Sequence, residues 1–290
     1  MTVSSIAIGV IGGSGLYAMA GLEDVERVTL ATPFGDPSDA YVIGTLGGQR
    51  VVFLPRHGVG HRLNPSEVPS RANIWGFKQL GVKYLMSVSA VGSLREDYAP
   101  GHIVVPDQIY DRTKGVRPAT FYNEGIVAHV AFDKPFCAQL SAKLYAAAQR
   151  AGATVHMGGS MVVIEGPQVS TLAESEEYRR NGHALVGMTA VPEAKLAREA
   201  EIAYATLAMV TDYDCWYPAH DSVTVEMVVA VIHANAKLSQ EVVRRAVELI
   251  GDGFVSNAHS AMATAIMTDR RVIPAAKQEQ LQLLIGKYLD

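Results

Sequence analysis

The side chains best placed to do chemistry are two carboxylates, Asp212 and Asp214, which follow the apolar run from Ile202 to Val210 with only Thr211 between. In an extended strand, residues i and i+2 point to one side, so the pair is expected to face a common ligand or each other. Two carboxyls held partly out of water do not readily both carry charge, and the one that keeps its proton can deliver it. Such residues also serve as turn formers and helix caps, and spacing alone leaves both uses open.

A second group suits an anion. Arg56-His57-Gly58 sets a permanently charged fork beside an imidazole that can switch its charge. That pairing fits a phosphate dianion that is itself a reactant, and it is also common as a solvated surface feature. Ser14, Ser89 and Thr189 add hydroxyl donors, or act as turn residues and caps. Gly13-Ser14-Gly15-Leu16-Tyr17-Ala18 loosely matches the glycine fingerprint of dinucleotide sites, though a tight turn without a ligand explains it as well. The ribose-binding acid of that motif has no suitable candidate, because Asp36 lies in the turn-like Thr32-Pro33-Phe34-Gly35-Asp36-Pro37. No Walker lysine follows the glycines. His61 has no partner at metal spacing, and neither Ser160 nor Ser170 stands in a nucleophile elbow. Neither a metal site nor a Ser-His-Asp hydrolase is expected.

These residues need a scaffold that gathers them. Short apolar, β-branched runs recur at Ile6–Ile11, Val51–Leu54, Tyr84–Val88, Ile103–Val105, Met161–Ile164, Leu185–Val186 and Ile202–Val210. Helical patterns fall at Ser70–Leu80, Pro135–Ala151, Leu172–Asn181, Val191–Ala200, Val223–Ile250 and Ala275–Leu289. The alternation predicts an α/β fold, a single domain over 1–290 with a central mixed β-sheet flanked by helices. Thr113–Gly125, polar and turn-prone, reads as a long surface loop. Five runs end in small polar clusters, at Gly13-Ser14-Gly15, Arg56-His57-Gly58, Ser89-Ala90-Val91-Gly92, Met188-Thr189 and Thr211-Asp212-Tyr213-Asp214. Ligands of open α/β sheets lie beyond strand carboxyl ends, so these clusters are expected to converge.

Composition narrows the partners. With 25 Lys+Arg against 29 Asp+Glu and a net charge of -4, no nucleic acid or anionic membrane is expected, and any phosphate must be held locally. Two cysteines, Cys137 and Cys215, suggest a reducing compartment, hence the cytoplasm. The apolar N-terminal stretch has no preceding basic residue and is broken by glycines, unlike a signal peptide.

Along nearly its whole length the chain resembles the trimeric purine nucleoside phosphorylase family and, within it, the branch acting on 5′-methylthioadenosine. The carriers are Ile8-Gly-Val-Ile-Gly-Gly-Ser-Gly-Leu16, Thr32-Pro-Phe-Gly-Asp-Pro-Ser-Asp39, Arg56-His-Gly58, Asn73-Ile-Trp75, Gly92-Ser-Leu-Arg-Glu96, Phe121-Tyr122, Ile164-Glu-Gly-Pro167, Met188-Thr-Ala-Val-Pro-Glu193 and Thr211-Asp-Tyr-Asp-Cys-Trp216. The resemblance implies phosphorolysis without metal or organic cofactor, inorganic phosphate being a co-substrate. It implies a phosphate cradle of Ser14, Arg56, His57, Ser89, the Ala90 backbone and Thr189. Met188 resembles the ribose contact, and Asp212, Tyr213 and Asp214 lie where the base contacts fall, with Asp212 as the acid at N7. Val225, Val228 and Val229 fall at the 5′ pocket, on a stripe with Ile232 whose spacing by itself is that of ordinary helix core. His129 matches a residue contributed across a subunit interface, implying a homotrimer.

Base preference follows from hydrogen-bond chemistry. Adenine presents an N7 acceptor beside an N6 donor, which a protonated Asp matches, whereas two acceptors would suit an Asn amide. Ser170 stands where 6-oxopurine relatives usually carry Glu. Departures are Ser14 for the familiar Thr, and Val169 where many members put Phe against the base. The alternatives are a 6-oxopurine nucleoside or methylthioinosine phosphorylase, a nucleoside-binding protein without turnover, and an NAD-dependent oxidoreductase.

Overall fold

A computed structural model describes residues 7–13, 19–218 and 225–289, apart from the side chains of Val225, Met227 and Ile232. The expected Ser14, and the side chain of Val225, therefore lie outside the described residues.

The architecture is a mixed sheet of eleven strands with helices on both faces. In chain order the strands are β1 (Ile8–Gly12), β2 (Glu23–Val28), β3 (Tyr41–Leu46), β4 (Gln49–Pro55), β5 (Tyr84–Ser93), β6 (Ile103–Val105), β7 (Gln108–Arg112), β8 (Val155–Met157), β9 (Ser160–Ile164), β10 (Leu185–Gly187) and β11 (Ala203–Asp212). The helices are α1 (Ser70–Gln79), α2 (Ala138–Arg150), α3 (Leu172–Arg180), α4 (Ala190–Glu199), α5 (Val225–Ile250), α6 (Ala275–Gln280) and α7 (Gln282–Ile285).

The central strands are apolar on both sides, so their alternating residues fill two cores. Val51 and Phe53 of β4, Tyr84 and Met86 of β5, and Ala203, Ala205 and Leu207 of β11 face α2 and α5. Val52, Leu54, Leu85 and Tyr204 face α1, α4 and the C-terminal helices. Four strands went unforeseen, three of them for lack of such buried residues. Glu23–Val28 is a charged, exposed edge strand, β7 carries Gln, Asp and Arg, β8 has three residues, and β3 enters as the middle of an antiparallel β2-β3-β4 meander. The expected C-terminal helix is broken at Leu281 (φ -102°, ψ 8°), and its last residues form a tighter turn in which Lys287 and Tyr288 reach the buried Glu201.

Thr113–Gly125 is irregular and largely at the surface, as expected, but it is anchored inward by three side chains. Arg117, Phe121 and Tyr122 are buried. Glu199 of α4 accepts from the Thr120 hydroxyl and the Phe121 N–H, each at 2.7 Å, which satisfies backbone that would otherwise need water.

The junction that builds the site is on β5. Its first half pairs with β1 from Tyr84 to Val88, and its far end pairs with β10 at Gly92 and Ser93. Among the described residues, 89–91 between them have a partner strand only on the β11 side. A stretch of central strand is thereby left with one open edge.

Candidate active site

β1, β4, β5 and β11 run parallel, so their carboxyl ends open on one rim and bring Arg56, Ser89 and Asp212 to it. The expectation that Met188 and Thr189 reach this rim at a strand carboxyl end shared with the others is corrected, because β10 runs antiparallel to β5. They arrive from the opposite direction, running back along the open edge of β5. Ser89 Oγ and Thr189 Oγ1 meet at 3.1 Å. Thr189 precedes α4 yet makes no side-chain cap, which frees its hydroxyl for the site.

Behind that pair lies a chain of polar contacts. Ser89 Oγ stands 3.5 Å from Ser87 Oγ, which accepts from Arg56 Nη2 at 2.7 Å. Arg56 is buried and ion-paired with the equally buried Glu193, and it donates to the carbonyls of Val88 and Ile11. The solvated-surface explanation of Arg56 is excluded. Glu193 and Ser87 were not foreseen. The serines at i and i+2 of an otherwise apolar strand were a usable signal, whereas Glu193 pairs with a residue 137 positions away.

His57 corrects an expectation. Its Nδ1 lies 2.9 Å from the Leu63 carbonyl, which can only accept, so Nδ1 carries the hydrogen and Nε2 keeps a lone pair. Burial, reinforced by the Arg56 charge, lowers the imidazole to about 4. The ring does not switch near neutral pH and offers an acceptor through Nε2. It stacks on His61 with centroids 4.3 Å apart.

Asp212 and Asp214 are both buried, but not through strand alternation. β11 ends at Asp212, and Asp214 begins a short 3-10 helix with φ +55°. The Asp214 N–H turns back to donate to Asp212 Oδ1 at 2.8 Å, and the Thr211 hydroxyl lies 2.7 Å from Oδ2. Gly92 makes room for this turn: a Cβ there would come within 3.0 Å of Asp212 Oδ1 and of Val186 Cγ1. Burial pushes both carboxyls up, and for Asp214 the neighbouring Asp212 adds to it. Tyr213 stacks on Tyr217 at 4.4 Å, with its hydroxyl on the Glu96 carbonyl.

Met188, half-buried, is fixed from two sides. The Gly166 backbone, at φ +64°, packs where any Cβ would strike the Met188 sulfur. Arg117 donates to the carbonyls of Met188, Val191 and Glu165, and its Nε meets Glu165 Oε1 at 2.8 Å. Nothing near Arg117 in the sequence announces that role.

Of the other expected residues, Ser170 lies beside Asp214 and the rest lie farther out. Ser170 is buried beside Cys215, whose sulfur meets its carbonyl, while Val169 is 53% exposed. Val228 is half-buried and Val229 exposed, in the first turns of α5, where the helix stands clear of the core that its later turns enter. His129 is exposed, its N–H held by the Ala265 carbonyl, and among the described residues no hydrogen bond ties it to the polar clusters. Among the described residues, no group of three or more His, Cys, Asp or Glu side chains could hold a metal ion, and no helix is long and apolar enough to cross a membrane.

The model of the phosphorylase superfamily matches residues 7–248. An S-methyl-5′-thioadenosine phosphorylase of Chloroflexus aurantiacus is 68% identical over 98% of this chain and 99% of its own. Among solved structures, a methylthioadenosine phosphorylase from an Antarctic soil metagenomic library superposes with a TM-score of 0.92 at 47% identity, covering 97% of this chain and 99% of that one. Methylthioadenosine phosphorylase from Schistosoma mansoni in complex with adenine superposes with a TM-score of 0.82 at 35% identity, over 97% and 98% of the two chains.

Proposed function

The chain belongs to the phosphorylase superfamily, and from that premise we propose that it cleaves S-methyl-5′-thioadenosine with inorganic phosphate, releasing adenine and 5-methylthioribose 1-phosphate. The observation that carries the proposal is the placement of a hydroxyl-lined open edge at Ser89 and Thr189 beside a buried carboxyl on the neighbouring strand. Ser89 and Gly92, the residue facing Asp212, are three strand residues apart, about 10 Å. That span suits a phosphate at one end and a purine at the other.

In the proposed reaction the phosphate rests on Ser89, Thr189, Arg56 and the Ala90 backbone, with Ser14 completing the cradle. Hydrogen phosphate bears one P–OH, and the lone pair of His57 Nε2 suits that group. The C1′–N9 bond breaks with its electron pair moving to the purine, positive charge builds on the sugar, and a phosphate oxygen forms the new bond to C1′. Asp212, protonated, gives its proton to N7 and neutralises the departing base, while its other oxygen accepts from the adenine amine. Met188 lines the ribose. Tyr213, Asp214, Val169 and Ser170 surround the base, and Val225, Val228 and Val229 meet the methylthio end. The chemistry asks for no metal or organic cofactor.

We further propose a homotrimer in which His129 reaches a neighbouring site. In support, His129 sits exposed beside the exposed apolar Val127 and Met267, whose backbones are joined. A cytoplasmic setting is supported by two cysteines that remain thiols.

The test is a panel of methylthioadenosine, methylthioinosine, inosine and guanosine, each assayed with and without phosphate. Phosphate-dependent release of adenine, with methylthioadenosine preferred, is expected; a preference for a 6-oxopurine would overturn the base assignment. Asp212→Asn is expected to lower turnover of adenine nucleosides by about 10²–10⁴-fold and that of 6-oxopurine nucleosides less.

A further inference from the structure

Thr211 is where β11 slips against β5. Val210 pairs with Val91 and Asp212 with Gly92, so Thr211 is the extra residue of a bulge, a device that re-aims side chains. Its side chain is buried and touches two oxygens. Oγ1 lies 3.2 Å from the Val91 carbonyl oxygen and 2.7 Å from Asp212 Oδ2. A hydroxyl has a single hydrogen, and a carbonyl can only accept. With Asp212 ionised, both oxygens compete for that hydrogen. With a proton on Oδ2, the acid donates to Oγ1, Oγ1 donates to Val91, and the Asp214 N–H donates to Oδ1, so each contact has its own hydrogen.

We propose that Thr211 is a positioning residue that works as a two-position rotor. It holds the Asp212 proton on Oδ2 before reaction, then swings its own hydrogen from Val91 to Oδ2 once that proton has passed to the purine. The proton moves from Oδ2 to N7, the C1′–N9 electron pair leaves with the base, and Thr211 keeps its hydrogen throughout. The carboxylate formed is stabilised where water does not reach it. This rests on Asp212 being the acid. Around that carboxyl, β5 presents Gly92 and the Val91 carbonyl and β10 presents Val186, while Asp214 is the titratable neighbour among the described residues.

The test compares Thr211→Val, which keeps the shape without the hydroxyl, with Thr211→Ser, in the wild-type and Asp212→Asn backgrounds. Thr211→Val is expected to lower kcat on methylthioadenosine about 10- to 100-fold, the scale of one hydrogen bond to a charge. It should leave the KM for phosphate unchanged and move the alkaline limb of kcat to higher pH, because the carboxylate loses a donor. Thr211→Ser should restore kcat and limb, and in Asp212→Asn the Val substitution should cost nothing further. Equal loss in both backgrounds, or wild-type kcat and pH profile in Thr211→Val, would overturn the rotor. A silent Asp212→Asn would instead overturn the acid assignment. Should Thr211→Val melt too low to assay, Thr211→Ala against Thr211→Ser separates hydroxyl from methyl by the same readings.

Discussion

Burial acts in opposite senses on the site's ionisable groups, and this gives them separable signatures in stability. His57, lowered to about 4 in the folded chain, titrates near 6.5 when unfolded. Between those values the unfolded chain binds a proton that the folded chain refuses, so stability rises with pH across the window. The contribution is complete above about 6.5 and lost on acidification towards 4, and it amounts to at most about 3 kcal/mol. Asp212 and Asp214, raised by burial, run the other way: their contribution is present at low pH and lost as pH rises through their folded values. A His57→Gln variant keeps the Asp pair and removes the imidazole, which isolates the first effect. Urea unfolding at several pH values from 7.5 to 4.5 should then show a shallower acid loss in the variant. Parallel stability curves would mean that His57 takes its proton as readily folded as unfolded.

At the scale of elements, the helices were legible because one-sided burial leaves a 3.6-residue period, and the central strands because two-sided burial leaves apolar runs. Glu23–Val28 left neither mark, since an exposed edge strand has no core face to encode. The Asp212–Asp214 pairing was legible in position but for the wrong reason. The chain brings the two together through a turn at Asp214, with Gly92 leaving the space, and that depends on a neighbouring strand. Arg117 was illegible altogether, because its meaning lies 48 to 74 residues away, in Glu165, Met188 and Val191. Its fork ties the 113–125 segment, the end of β9 and the turn into α4 into one unit, so its loss should loosen all three. Arg117→Ala leaves three buried carbonyls without their donor, while the Glu165 carboxylate keeps Ser66 and the Lys114 N–H, and should cost about 1–3 kcal/mol of stability, the scale of buried acceptors left unsatisfied. Arg117→Lys should restore little, since a point ammonium cannot serve the oxygens that a planar fork reaches. Amide hydrogen exchange is the decisive measurement: faster exchange in 113–125 and 188–191 together is expected, and unchanged protection at 188–191 would detach Arg117 from the site.

Over the whole molecule, the sheet assembles the proposed phosphate edge and the proposed acid within one chain, while large apolar side chains at Val127, Met267 and Val272 stand exposed. Val127, Met267 and Val272 are about half exposed or more, the first two beside an exposed His129 that is tied by no hydrogen bond to the site's clusters among the described residues. The proposed closed trimer would give that surface a reason, because a cyclic interface lets each subunit lend one side chain to the next subunit's site. The consequence is complementation. His129→Ala and Asp212→Asn are each expected to be nearly inactive on methylthioadenosine alone. When the two are unfolded together and reassembled in equal amounts, a site is intact if its own chain carries Asp212 and its neighbour carries His129, which random mixing gives in roughly a quarter of sites. Activity should therefore return well above either parent, and the particles should sediment at three times the 31.1 kDa chain mass. If His129 served the site of its own chain, no mixed trimer could contain an intact site in the His129→Ala subunit, and the mixture would stay at the mean of its parents.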